Sequence, residues 1–328
     1  MRLLLLGGTK FVGRVVAEEA LARGWEVTAL NRGTQPAPEG VEVLKGDRTA
    51  EGGLAALATG EWDSVVDTWS WAPAAVRDSA RLLNGRVGHY AYISSGSVYT
   101  WPKTAGADES AAVVEGDPDE AGEVGYAENK RGAELALEAE FGGSALLARS
   151  GLILGPHENI GRLPWWLNRI ARGGRVLAPG PRETPLQYID VRDLASWTLD
   201  ATAARLSGAY NVVSPTDHAT TGSLLEACVR ATGSDAELRW TAPERIAAAG
   251  IASWTELPIW AAPGELYDYL HTASVARAVA DGLRCRPVEE TVADTWAWLR
   301  AIGGEAPQRE DRPNVGLDPE REAEALRS

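Results

Sequence analysis

The chain is poor in the residues that build disulfide-stapled or metal-held modules. Its two cysteines, Cys228 and Cys285, lie far apart and outside any CxxC pair. That excludes a disulfide scaffold and a cysteine-rich zinc module, and suits a reducing cytoplasm. The four histidines, His89, His157, His218 and His271, show no HExxH or paired spacing, so no catalytic metal is expected. No apolar stretch approaches the ~20 residues of a membrane span. The N-terminal run Leu3 to Leu6 stops at Gly7-Gly8, too short for a signal-peptide core. The expectation is a soluble cytoplasmic protein with no membrane partner. Positive charge is the minority sign, 32 Lys and Arg against 46 Asp and Glu for a net −14, which disfavours a nucleic-acid partner. Lysine itself occurs only at positions 10, 45, 103 and 130, so a lysine inside a motif is unusually informative. Phenylalanine occurs twice and tryptophan thirteen times.

What is present reads as an α/β protein. The 328 residues suggest about two domains. In the first half, strands at 2–6, 26–30, 41–44, 64–66, 90–94 and 144–149 alternate with helical patterns at 11–23, 52–58, 73–83 and 125–141. Short, nearly continuous apolar strands separated by helices predict a Rossmann-type, doubly wound parallel sheet with helices on both faces. Residues 1–150 are expected as a dinucleotide-binding domain. Residues 151–303 are expected mainly as a smaller α/β substrate domain, some of whose segments return to the sheet, with helices near 161–172, 192–204, 221–231 and 289–301. The polar, proline-punctuated residues 304–328 are expected as an exposed tail. Residues 100–124 read as a long excursion from the strand ends, where loops are commonly functional.

The first strand passes to the first helix through Gly7-Gly8-Thr9-Lys10-Phe11-Val12-Gly13. Gly7 permits the tight turn and Gly13 lets the helix pack on the sheet, so the first helical N–H groups face a pyrophosphate. The second strand ends Asn31-Arg32-Gly33, where an acid would bind ribose hydroxyls. An arginine can instead pair with a 2′-phosphate, so Lys10 and Arg32 favour NADP(H), with NAD(H) left open. Asp47, in Gly46-Asp47-Arg48, is placed to reach the adenine edge.

Tyr126 and Lys130 stand four apart on one helix face. Chance placement of the tyrosines and lysines would give about 0.1 such pairs. An ammonium beside a phenol favours the phenolate, so the tyrosine can exchange a proton with a substrate oxygen while hydride moves to or from a nicotinamide. Ser94, Ser95 and Ser97 close the fifth strand, where ligands sit in open α/β sheets. GxSxG is absent there, which argues against a serine hydrolase.

Gly7–Gly13, Tyr92-Ile93-Ser94-Ser95-Gly96-Ser97-Val98-Tyr99 and the Tyr126/Lys130 pair together resemble the extended short-chain dehydrogenase/reductase superfamily, also called the NAD-dependent epimerase/dehydratase family. Arg149 with Leu154-Gly155-Pro156, the segment 187–195 and the stretch 274–299 look like further family segments, so the resemblance covers about residues 1–300. The GGTKFVG form looks most like a divergent branch that includes chloroplast stem-loop RNA-binding proteins as well as reductase-like members. The chain departs from the family in carrying Lys10 for the central glycine and Ser150 after Arg149. The resemblance implies Ser95, Tyr126 and Lys130 as catalytic residues. It implies Gly7, Gly8, Thr9, Lys10, Phe11, Val12, Gly13, Asn31, Arg32, Asp47, Arg48, Thr68, Ser94, Tyr126 and Lys130 as cofactor-binding.

Trp69, Trp71, Ser97, Trp101, His157 and Gln187 are the candidate substrate residues, the tryptophans offering faces for a sugar or polycyclic ring. Trp165, Trp166, Trp254 and Trp260 either share that role or seal the core. Asn159 is a further polar candidate, and Asp193 is expected to cap a helix from Leu194. Three functions compete. The first is an NAD(P)-dependent oxidoreductase acting on a carbonyl or secondary alcohol of a small molecule. The second is an NAD-dependent nucleotide-sugar epimerase or dehydratase, against which the missing acid weighs. The third is a non-catalytic nucleotide- or RNA-binding relative. A homodimer is left open.

Overall fold

The computed structural model describes residues 1–122, 124–309 and 313–327. Its centre is a seven-stranded sheet formed by β1 (Arg2–Leu6), β2 (Glu26–Asn31), β3 (Glu42–Lys45), β4 (Ser64–Asp67), β5 (His89–Ser95), β6 (Ser144–Ser150) and β7 (Gly208–Val212). The strand order is β7-β6-β5-β4-β1-β2-β3, and every pairing is parallel. The fold is the expected Rossmann-type α/β architecture. Successive side chains of β1 show why both faces are covered. Leu3 and Leu5 join one core with Val15, Val16 and Ala20, while Leu4 and Leu6 join the opposite core with Val76, Ala80 and Leu83. The helices behind those cores are α1 (Phe11–Ala22), α2 (Ala74–Leu83) and α3 (Tyr126–Glu140).

The register aligns the carboxyl ends of the strands. Leu6 pairs with Leu30 and Asp67, Asp67 with Tyr92, and Ser95 with Ser150. Strand order reverses between β1 and β4, which opens a crevice at the end of β1, the usual place for a ligand in such a sheet.

Residues 191–212 return to this sheet. The helix α5 (Val191–Ala203) buries Val191, Leu194 and Trp197 in the same core as α1. Its N-cap is Asp190, whose side chain accepts from the Arg192 amide, rather than the expected Asp193. Asp193 lies in the first turn and holds Arg286 through the Arg286 N and Nε.

A third core gathers α4 (Arg162–Ala171), α6 (Thr221–Thr232) and the helix Val288–Ala301 around Trp166, Leu167 and Trp260. Trp166 and Trp260 are therefore core residues, not ligand faces. The expected helix at 52–58 is one 3-10 turn, Ala55–Leu57. The expected exposed tail is anchored at two points. Leu317 is buried, and Asp318 caps a helix Pro319–Ala325. That helix's buried Glu322 accepts from Arg169 Nε and from the Leu177 amide at 3.0 Å. A proline-rich polar composition conceals such an anchor, because one apolar side chain and one carboxylate suffice to fix it. Among the described residues no helix is long and apolar enough to cross a membrane.

Candidate active site

The turn after β1 is built for close approach of a ligand to the backbone. Gly7 has φ +124°, and a Cβ on it would stand 2.4 Å from Thr68 Oγ1. A Cβ on Gly13 would meet the Gly8 nitrogen at 2.7 Å, so only glycine allows α1 to start this near the turn. Thr68 is itself fixed by donating to the Leu6 carbonyl at 3.1 Å. Lys10 is the exposed N-cap residue of α1, with no side-chain cap bond.

Asn31, Arg32 and Asp47 line the cleft beside the turn. Asn31 Oδ1 accepts from the Gly33 amide at 2.8 Å, while its buried Nδ2 has no hydrogen-bond partner among the described residues. An orphaned donor at that strand end fits an oxygen-rich ligand such as an adenosine ribose. Asp47 accepts from both the Thr49 hydroxyl and amide, bonds that hold its carboxyl below the usual range. Arg48 lines the cleft too, but not as an unpaired cation. Its guanidinium turns inward to a bidentate pair with the buried Asp67 at 2.7 and 2.8 Å, and also donates to the Ala75 carbonyl and Ser79 Oγ. It braces β4 and at the same time lines the cleft beside Asp47, its charge already paired with the acid at the end of that strand.

The serines and the helix pair meet at the end of β5. Ser95 Oγ accepts from the Ser97 amide at 3.1 Å and caps the turn Gly96–Val98. Ser94 also lines the cleft, its Oγ donating to Glu134 Oε1 at 2.7 Å. Glu134 is fully buried and also takes both Arg149 Nε and Nη2 at 2.9 Å. Tyr126 opens α3, and Lys130 lies one turn further on. Lys130 Nζ donates to the Trp69 carbonyl at 2.6 Å and the Ile93 carbonyl at 2.7 Å, over the Tyr92 ring. Burial pulls its amine down to about 7, with Asp67 and Glu134 acting in the opposite direction. Ser95, Tyr126 and Lys130 line one cleft of about 1950 Å³ together with Gly7 to Gly13.

The cleft wall is rich in aromatic rings. Trp69 and Trp71 pack edge to face at 5.1 Å, and Trp101 leans on Tyr269 at 5.2 Å. Trp71 and Trp101 remain 46% and 50% exposed, far more than core packing would leave. Ser97, His157 and Asn159 also line it, His157 beside the Trp298 ring and Trp254 beneath Arg162. Gln187 does not belong to this wall. It is fully buried, donates from Nε2 to the Ser214 and Ala273 carbonyls, and accepts the Ala273 amide. Its amide is consumed in holding strand ends together. Sequence reasoning missed Lys103, Tyr269 and Arg309, all on the cleft wall. The scarcity of lysine was a usable signal for the first; nothing local marked the other two.

A Rossmann sheet whose glycine turn shares a cleft with a serine, a tyrosine and a lysine defines a short-chain dehydrogenase/reductase-type enzyme. The chain belongs to the NAD dependent epimerase/dehydratase family, whose model matches residues 3–212. No curated protein matches it. Among solved structures, the Bordetella bronchiseptica enzyme WbmH in complex with NAD+ is 20% identical, covering 92% of this chain and 99% of its own, with a TM-score of 0.69. The Thermus thermophilus UDP-glucose 4-epimerase in complex with NAD is 21% identical over the same shares, with a TM-score of 0.61. The Thermotoga maritima UDP-glucose 4-epimerase with UDP-glucose is 18% identical, again over 92% and 99%, with a TM-score of 0.63. At these identities the likeness is one of fold.

Proposed function

We propose that the chain is an NAD-dependent epimerase or dehydratase acting on a nucleotide sugar. The observation that carries this reading is the single cleft of about 1950 Å³ running from the glycine turn past Tyr126 to Trp101, His157 and Trp254. Drug-sized ligands occupy about 300–1,000 Å³, so this volume suits a dinucleotide and a second ligand of similar bulk. Family membership supports this function over the net oxidoreductase favoured from Arg32, and solved structures of the same fold are described with NAD and UDP-glucose.

Gly7 to Gly13 and the start of α1 would hold the diphosphate, with Asn31 and Asp47 at the adenosine end. A bound nicotinamide supplies a reversible acceptor for hydride. Tyr126 exchanges a proton with the sugar oxygen whose carbon is oxidised, and Ser95 donates a hydrogen bond to that oxygen. Lys130, anchored through the Trp69 and Ile93 carbonyls, lines the same cleft one helical turn after Tyr126 and would fix the local geometry around it.

Incubation with NAD and UDP-glucose tests this. The expected result is a new UDP-sugar with no net formation of reduced nicotinamide. Stoichiometric oxidation of added NADPH by a carbonyl compound, with no change in the sugar, would point instead to net reduction. One observation favours a second reading of the cofactor. Arg32 lines the cleft where Asn31 leaves no carboxylate, an arrangement that suits the 2′-phosphate of NADP(H).

A further inference from the structure

Four basic side chains near the centre of the cleft wall are buried, and three have oxygen partners. Arg48 has Asp67, Arg149 has Glu134, and Lys130 has the carbonyls of Trp69 and Ile93. Lys103, in the long loop after β5, is 9% exposed and lines the same cleft. Among the described residues it has neither a carboxylate nor a hydrogen-bond acceptor. Its Nζ stands 5.5 Å from the Tyr99 ring and 5.4 Å from the Tyr269 ring. Two phenol faces flank the cation, and its N–H donors, with no protein acceptor among the described residues, are open to an anion in the cleft. Burial alone lowers its amine, to about 8; no neighbouring acid contributes.

The place is as informative as the charge. The Tyr269 hydroxyl donates to the Ser97 carbonyl at 3.1 Å and the Tyr99 carbonyl at 3.2 Å, tying this aromatic slot to the turn that carries Ser95. Trp101 also packs against the Tyr269 ring, at 5.2 Å. An anion beside Lys103 is therefore next to the reacting end of a substrate. One ammonium between two rings matches a singly charged group better than a diphosphate, which calls for several donors.

We propose that Lys103 is a specificity-determining residue whose ammonium binds a carboxylate on the sugar ring of the substrate, so that the protein selects an acidic sugar over its neutral counterpart. This deepens the function proposed above and rests on it. The test is calorimetric binding of UDP-glucuronic acid and UDP-glucose, which differ only at C6, to the NAD-loaded protein. The wild-type protein is expected to bind the acid about tenfold or more tightly. K103M should remove the preference and K103R should retain most of it, both binding NAD as the wild type does. If K103M fails to fold, the shorter neutral K103Q is read in its place. Equal affinity for the two sugars, a preference unchanged in the neutral variant, or no binding of either sugar would overturn the proposal. A preference for the acid that vanishes in K103M, without any interconversion of either sugar, would uphold the carboxylate site while counting against the epimerase reading.

Discussion

Replacing Arg48 by methionine separates a structural brace from a cofactor contact. The Arg48–Asp67 pair is buried on both sides, and Asp67 also receives the Tyr90 hydroxyl at 2.6 Å and the Trp69 amide at 2.9 Å. Methionine keeps most of the aliphatic volume but leaves a fully buried carboxylate without its counter-charge. Breaking such a pair from one side costs about 3–5 kcal/mol. With a urea m-value near the upper end for single domains, ~3 kcal/mol/M, the midpoint should fall by about 1 M or more. The assay is urea unfolding of the cofactor-free protein, followed by circular dichroism and tryptophan fluorescence. Adding Asp67→Asn to Arg48→Met should restore part of the loss, because the neutral amide no longer leaves a buried charge unpaired. A single variant that unfolds with the wild type but binds NAD tenfold more weakly would refute the structural assignment and return Arg48 to the cofactor.

Two further outcomes follow. Glu158 is fully buried, and burial raises its carboxyl to about 7 although the Arg162 charge and the Arg162 and Leu163 amides favour the ionised form. The folded state then holds a proton that the unfolded state has released, so stability should fall as pH rises from about 4.5 to about 7, by about 3 kcal/mol in total. Glu158→Gln should flatten that slope in denaturation measured across this range, and a slope identical to wild type would contradict the assignment. Arg32→Asp should move cofactor preference toward NAD(H), read as the ratio of kcat/KM for the two dinucleotides; an unchanged ratio would remove the 2′-phosphate reading.

The sheet was legible because its signals are local and redundant. Leu3 to Leu6, Val27 to Leu30 and the strand of Tyr90 to Ser94 are largely apolar on both faces, and α1, α2 and α3 follow β1, β4 and β5. The glycine turn and the Tyr126/Lys130 spacing were legible for the same reason, since each lies within a short stretch of chain. What failed was partnership across long separations. The partners of Arg48 and Ser94, Asp67 at the end of β4 and Glu134 on α3, were not legible, although both residues do line the cleft. Gln187 looked polar and therefore available, yet its amide closes onto Ser214 and Ala273. The tail looked exposed because Glu322 finds its partner Arg169 at a separation of 153 residues. Tyr269 and Arg309 reach the cleft from segments with no motif at all.

The central claim is that Tyr126 acts on the substrate oxygen while the glycine turn holds the dinucleotide. Tyr126→Phe removes one hydroxyl and leaves the ring, so NAD titration and sugar turnover on the same protein separate the two parts. NAD affinity should stay within about twofold of wild type while turnover falls by about a hundredfold or more, the range general acid–base catalysis supplies. A phenylalanine variant that turns over at the wild-type rate would contradict the account.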